Sequence, residues 1–187
     1  KTFRTRLWEQ ADRALYTRDQ YYQLFPYDPY DDETNKYKWD RGAEVFVLNF
    51  DTEQKKNFTL ENLHTWNPGE YLLEVTAMDK SGQEVKELSY FTLYAPSSRT
   101  IPFPQVHYFQ GVQLTAEPGE KATFASGTAD KKIRVLYEIE RDGDLVSKEW
   151  ITLNNQQRVF EIPIREEHRG NLAVHYTFIK NNRLYAE

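Results

Sequence analysis

The chain has 187 residues, with 24 Lys and Arg against 29 Asp and Glu, a formal net charge of -5 and no cysteine. That length suits two domains of about 100 residues each. The mixed charge lacks the basic field that holds a nucleic-acid backbone, and without thiols there are no disulfides, thiol nucleophiles or Cys-ligated metals.

Aromatics make up 15% of the chain, 13 Tyr and 11 Phe among them, which favours packed strands over disorder. No apolar run approaches the roughly 20 residues that span a bilayer, and no signal-peptide pattern opens the chain. It begins at Lys1 and its last residues pattern as a strand just begun, so a piece cut from a longer polypeptide is expected.

In chain order, residues 2–8 alternate weakly and are expected to form a strand. Thr17-Arg18-Asp19-Gln20 is a capping-box pattern, a hydroxyl at the N-cap with Gln three residues on. A short helix to about Phe25 should follow, stopped by Pro26, with Tyr21, Leu24 and Phe25 on one face. Pro26-Tyr27-Asp28-Pro29-Tyr30-Asp31-Asp32-Glu33 is a turn-rich acidic loop. Residues 43–50 are largely apolar and are expected to be a strand closed by Asp51-Thr52. A hairpin fills 59–94, with a Pro68-Gly69 turn, a strand over 71–78, a Gly-containing loop and a return strand over 84–94. About four strands are therefore expected here, fewer than the seven of a full sandwich.

Residues 95–104 hold three prolines. Proline withholds a backbone donor and keeps its predecessor extended, so this stretch is expected to be a short, stiff joint. Beyond it, seven strands are expected at 109–115, 121–126, 133–141, 144–153, 158–164, 171–179 and 183–187. Asp142-Gly143 is a strong two-residue hairpin signal. Such a turn sets Ile139 opposite Val146 and Val135 opposite Trp150, placing all four, with Ile133 and Tyr137, on one buried face. Leu172, Val174, Tyr176 and Phe178 alternate inward on the next-to-last strand, and Asn181-Asn182 is another tight turn. Pro163 marks an edge or a strand end. Pro-Gly-Glu occurs at 68–70 and at 118–120; a separation of 50 residues makes it one turn type used twice and not a repeat.

The expected class is all-β: two tandem antiparallel β-sandwiches over 1–96 and 105–187, joined by 97–104. The first carries a short helix near 18–25 and takes further strands from elsewhere; the second has its last strand cut.

Several pieces, in this order, carry a resemblance. They are Tyr22-Gln23-Leu24-Phe25-Pro26-Tyr27-Asp28-Pro29-Tyr30, Trp39, Phe50-Asp51-Thr52 and Trp66-Asn67-Pro68-Gly69-Glu70-Tyr71. In the second half they are Val135-Leu136-Tyr137-Glu138-Ile139-Glu140-Arg141-Asp142-Gly143, Ile162-Pro163-Ile164 and Arg169-Gly170-Asn171. The chain resembles two consecutive macroglobulin (immunoglobulin-like) domains of large bacterial alpha-2-macroglobulin-like proteins, and the resemblance covers most of its length. It implies tandem seven-stranded sandwiches in an exported protein, periplasmic or at the cell surface, of a family many of whose members trap or inhibit proteases. It implies neighbouring domains of the same polypeptide and a target protease as partners, and no enzymatic activity. Many members carry a Cys-Gly-Glu-Gln thioester; a chain without cysteine cannot hold one, and no functional residue carries over.

Two clusters are weighed as sites. Asp28, Asp31, Asp32 and Glu33 offer hard oxygens for calcium, but lack the spacing and central Gly of an EF-hand loop; a solvated turn is the other reading. Tyr21, Tyr22, Tyr27, Tyr30, Tyr37 and Trp39 are dense enough for a sugar-stacking platform, which makes a carbohydrate-binding or adhesion module the rival function. A local mini-core or an inter-domain contact would use the same rings. His64, His107, His168 and His175 are scattered, with no zinc-binding spacing. Ser81-Gly82 and Ser126-Gly127 lack the leading Gly of a nucleophile elbow, and no Gly-rich phosphate loop occurs, so no catalytic residue and no cofactor are expected. Asn57-Phe58-Thr59 is a glycosylation sequon only in a eukaryotic secretory setting.

Overall fold

The computed structural model describes residues 3–51, 53–54 and 56–187; Thr2 and Thr52, which enter two of the expectations above, lie outside them. The described residues are mostly β, arranged in three antiparallel sheets. A short helix precedes them, α1 (Arg18–Leu24). β1 (Gly69–Met78) and β2 (Glu84–Leu93) form a two-stranded sheet. β3 (Tyr108–Gln113), β4 (Lys121–Thr128) and β7 (Gln156–Pro163) form a three-stranded one in the order β3-β4-β7. β5 (Ile133–Arg141), β6 (Asp144–Leu153), β8 (Leu172–Lys180) and β9 (Arg183–Ala186) form the third, in the order β6-β5-β8-β9.

The helix starts where its sequence says. Thr17 Oγ1 accepts from the Gln20 N–H at 3.4 Å, and Gln20 Oε1 accepts from the Thr17 N–H at 3.0 Å. Asp19 adds negative charge to the first turn, where the unpaired N–H groups leave the helix end positive. Phe25 donates its N–H to Tyr21 at 2.7 Å, and Pro26 then stops the ladder.

In the second half, seven strands face one another as a three-stranded and a four-stranded layer. The core lies between them. Phe124 and Phe160 of the smaller sheet stack 4.8 Å apart, and Phe160 meets Tyr137 and Tyr176 of the larger sheet at 5.1 and 6.1 Å. Tyr176 and Phe178 are buried, with Leu172 and Val174 half-buried against the same core, as their alternation requires. Asp142-Gly143 and Asn181-Asn182 all adopt positive φ, the backbone of a two-residue hairpin turn.

The pairing beyond Asp142-Gly143 departs from expectation. Arg141 pairs with Asp144 and Glu140 with Leu145, but Ile139 then meets Ser147, so Val146 occupies a bulge. One extra residue reverses every later side chain. Val135 therefore opposes Ile151, and Leu136 opposes Trp150. Val146 and Trp150 are turned outward, 53% and 55% exposed, while Ile151 and Leu153 enter the core. Outside, Trp150 lies beneath the Arg134 guanidinium, 4.6 Å from ring centre to Cζ.

The proline-rich stretch is strapped to the end of the smaller sheet. Gln157 Nε2 donates to the carbonyls of Ala95 and Ser98, both at 2.7 Å, and its backbone N–H donates to Arg99 at 2.9 Å. Approach is close enough that a Cβ on Gly127 would sit 2.7 Å from Gln156 O, Gln157 Cα and the Ile101 methyl.

The first half holds fewer strands than expected. β1 and β2 pair along ten residues each, from Gly69↔Leu93 to Met78↔Glu84. Asp79 ties their turn by accepting from the N–H groups of Ser81 and Gln83, each at 2.8 Å. Residues 43–50 are not a strand. They enter no ladder, and Val45, Phe46, Val47, Leu48 and Phe50 are 38–61% exposed. Residues 3–8 likewise make no ladder. Apolar alternation creates a strand only where an edge and a second layer receive it, and neither meets these segments.

Candidate functional site

The acidic candidates fall with Tyr21, Tyr22, Tyr27 and Tyr30 in one region, where Arg4, Arg6, α1 and the acidic loop meet the turn between β8 and β9. Asp28 is its anchor, with a side chain 4% exposed. It accepts from Arg4 Nε at 2.8 Å and from Arg4 Nη2 in a two-point pair, while Arg4 Nη1 donates to the Asn181 carbonyl at 2.9 Å. The hydrogen bond that Arg4 donates to Asp28 raises the Arg4 pKa against the opposing effect of burial. Arg6 Nη2 gathers the next three carbonyls, donating to Pro29, Tyr30 and Asp31 at 2.8, 3.1 and 3.0 Å. In return, Arg183 Nη1 donates to the Thr5 carbonyl.

This arrangement divides the acidic residues among separate donors. Asp31 pairs with Arg18, and Asp32 with Lys38. Glu33 accepts from the Tyr22 hydroxyl and from the Asp31 N–H. Burial works to raise the Glu33 carboxyl, but those two bonds and the nearby Arg18 outweigh it and hold it below its ordinary value. Tyr22 is pushed up to about 12, by burial first and then by its bond to Glu33. Among the described residues no three His, Asp or Glu side chains gather as a metal site. The loop is held by arginine and lysine.

The aromatic candidates do not make one platform. Tyr21 packs against Tyr22, Phe25 and Tyr30, with centroids 5.9, 5.1 and 5.4 Å away. Tyr30 donates its hydroxyl to the Tyr16 carbonyl at 2.9 Å. Tyr37 meets Tyr90 of β2 at 4.6 Å; Trp39 meets Phe103 at 5.9 Å and donates Nε1–H to Glu33 O at 3.0 Å. Tyr27 is partly exposed. What opens to solvent is a cleft of about 440 Å³ lined by Arg4, Trp8, Tyr21, Phe25 and Asp28. Of these, Tyr21 and Asp28 were candidates from the sequence. Phe25 carried a signal as a member of the helix face, whereas Trp8 sits at the end of a weakly alternating stretch read as a strand and carried no signal as a site residue.

The histidines stay apart. His168 accepts from the Arg165 N–H at 3.2 Å, and His175 lies 3.2 Å from Glu140 on the surface. His107 is half-buried and lies flat against Tyr176, 5.7 Å between centroids, with its Nε2 buried and without a hydrogen-bond partner among the described residues. Burial lowers its pKa. Ser126 is buried and donates to the Tyr108 carbonyl; Ser81 donates to Asp79. Neither serine has an imidazole beside it in these bonds. No helix among the described residues is long and apolar enough to cross a membrane. No protein-family model and no curated protein matches the chain.

Proposed function

We propose that this chain is framework: two consecutive macroglobulin-like sandwiches of an exported alpha-2-macroglobulin-like protein, periplasmic or at the cell surface. Their partners are neighbouring domains of the same polypeptide and, through the whole protein, a target protease. They hold distant parts at fixed geometry and perform no chemistry themselves. The observation that supports this most is how the polar groups are used. The Arg4–Asp28 pair and Arg6 are occupied in fastening the N-terminal segment, and Gln157 in fastening the linker to β7. Rigidity is what such bonding provides.

The test has two arms. The isolated chain should show no turnover on a panel of ester, peptide, glycoside and phosphate substrates; robust hydrolysis that co-purifies with the chain would overturn the proposal. In the longer protein, deleting 105–187 should abolish retention of a protease while leaving cleavage by that protease intact. Retention unchanged by the deletion would also overturn it.

A further inference from the structure

We propose that the cleft between β6 and β7 binds short zwitterionic peptides, a role beyond the framework function and independent of it. β7 ends the smaller sheet and β6 ends the larger one, so the cleft is an open side of the core. It measures about 310 Å³, at the lower end of the roughly 300–1,000 Å³ of small-molecule sites. Its floor includes Tyr137, Ile139 and Phe160.

The walls carry polar groups where strand alternation calls for apolar ones. Arg158 shares the inward face of β7 with buried Phe160 and Ile162. Its guanidinium lies over the Phe160 ring, 5.0 Å from Cζ to ring centre. On β6, Glu149 stands opposite buried Tyr137 and Ser147 opposite Ile139, so both share the inward face with Ile151 and Leu153. Tyr137 feels both charges: burial raises its pKa first, Glu149 adds to the rise and Arg158 opposes it. The side chains of Arg158, Glu149 and Ser147 nevertheless have no hydrogen bond or ion pair among the described residues. A cation, an anion and a hydroxyl thus line one opening, each without a polar partner.

That set selects the ligand. A simple anion gains at Arg158 but is repelled by Glu149, and a simple cation meets the reverse. An apolar molecule would strip water from both charges and return no hydrogen bond. A short peptide with free ends meets each requirement. Its carboxylate takes the planar fork of Arg158, its ammonium lies against Glu149, and an apolar side chain covers the floor. Ser147 serves the amide between the two ends.

The experiment titrates the 187-residue chain calorimetrically with dipeptides and tripeptides of Ala, Val, Leu and Phe. Each peptide is used with free ends, with an acetylated N-terminus and with an amidated C-terminus. At least one free-ended peptide should bind, and capping either end should weaken it by about tenfold or more. The affinity should fall between about 50 and 500 mM NaCl, because both contacts are ionic. Arg158→Gln and Glu149→Gln, both at exposed positions, should each lose about as much with an unchanged melting curve. Arg158→Gln should then no longer distinguish amidated from free peptide, and Glu149→Gln no longer distinguish acetylated from free. Glu161→Gln, whose carboxylate already pairs with Lys121 at 2.6 Å, should bind as the unaltered chain. Binding of no free-ended peptide would overturn the proposal, as would equal binding of doubly capped peptides or full affinity in both Arg158→Gln and Glu149→Gln. Self-association of these variants, with no peptide bound by the unaltered chain, would overturn it too and assign the inward charges to guarding two strand edges. None of these outcomes bears on the hydrolysis or retention assays, so the two proposals fail separately.

Discussion

The two halves of the chain are both rich in aromatic and β-branched residues and differ in what they do with them. Between 105 and 187, seven strands close into two layers, and the side chains of the buried core cluster all lie in this region. Between 3 and 94, β1 and β2 stand as an isolated pair, and Val45, Phe46, Val47, Leu48, Met78, Val85 and Leu88 remain exposed. An isolated hairpin is marginal in water, whereas stacked sheets share one core. The lesson is that apolar pattern supplies the capacity for burial, and a second layer decides whether burial happens.

The sharpest test of that difference is paired truncation. Phe160→Ala, in the stacked aromatic core, should destabilise the second half by about 3–5 kcal/mol. Phe46→Ala, in the unpaired segment, should stay within about 0.5 kcal/mol. Urea unfolding of both variants checks this, and equal effects would break the contrast.

Asp28→Ala comes next, because it leaves Arg4 facing Asn181 with no countercharge. Arg4 keeps some solvent contact, which moderates the loss to about 2–3 kcal/mol. The change should appear as faster hydrogen exchange over residues 27–31 and 181–183, with the core strands unaffected. Uniform acceleration across β4 and β5 would mean that the two halves open as one unit.

Gly127→Ala presses a methyl onto the β7 backbone and Ile101, at a cost of about 1–3 kcal/mol. Thermal unfolding measures it, and added proteolytic cleavage within 95–104 would show the linker lifting from the sheet. An unchanged melting temperature would mean that the strap yields freely.

The smallest effect expected is a pH dependence centred on His107. Its folded pKa is depressed by burial, so the unfolded chain binds the proton more readily. The stability this represents is complete above the unfolded value of about 6.5 and declines as pH falls toward the folded one. Unfolding of the second half should therefore become easier below about pH 6.5. His107→Phe should flatten that part of the profile, and a profile identical to the unaltered chain would assign the dependence to another group.

Much of the second half was legible in its residues. The alternation of Leu172 to Phe178 named a buried face, and Asp142-Gly143 and Asn181-Asn182 named two hairpins, because turn backbone and strand period are local properties. The site was legible only in fragments. Asp28 and Tyr21 stood in dense, unusual composition, but Arg4, the partner of Asp28, lies 24 residues earlier in a weakly alternating stretch read as a strand. Asn181 lies in the other half of the chain altogether.

The residues alone determined the capped helix, the tight turns and which segments could be extended, since each rests on dihedral preferences and hydrogen bonds within a few positions. Tertiary structure decided the rest. A bulge at Val146 turned Trp150 to solvent and drew Ile151 inward, the absence of a receiving edge left 43–50 unpaired, and the β8–β9 turn fixed Arg4 over Asp28. Each of these outcomes depends on what lies across the sheet or across the core, and short-range pattern does not encode that.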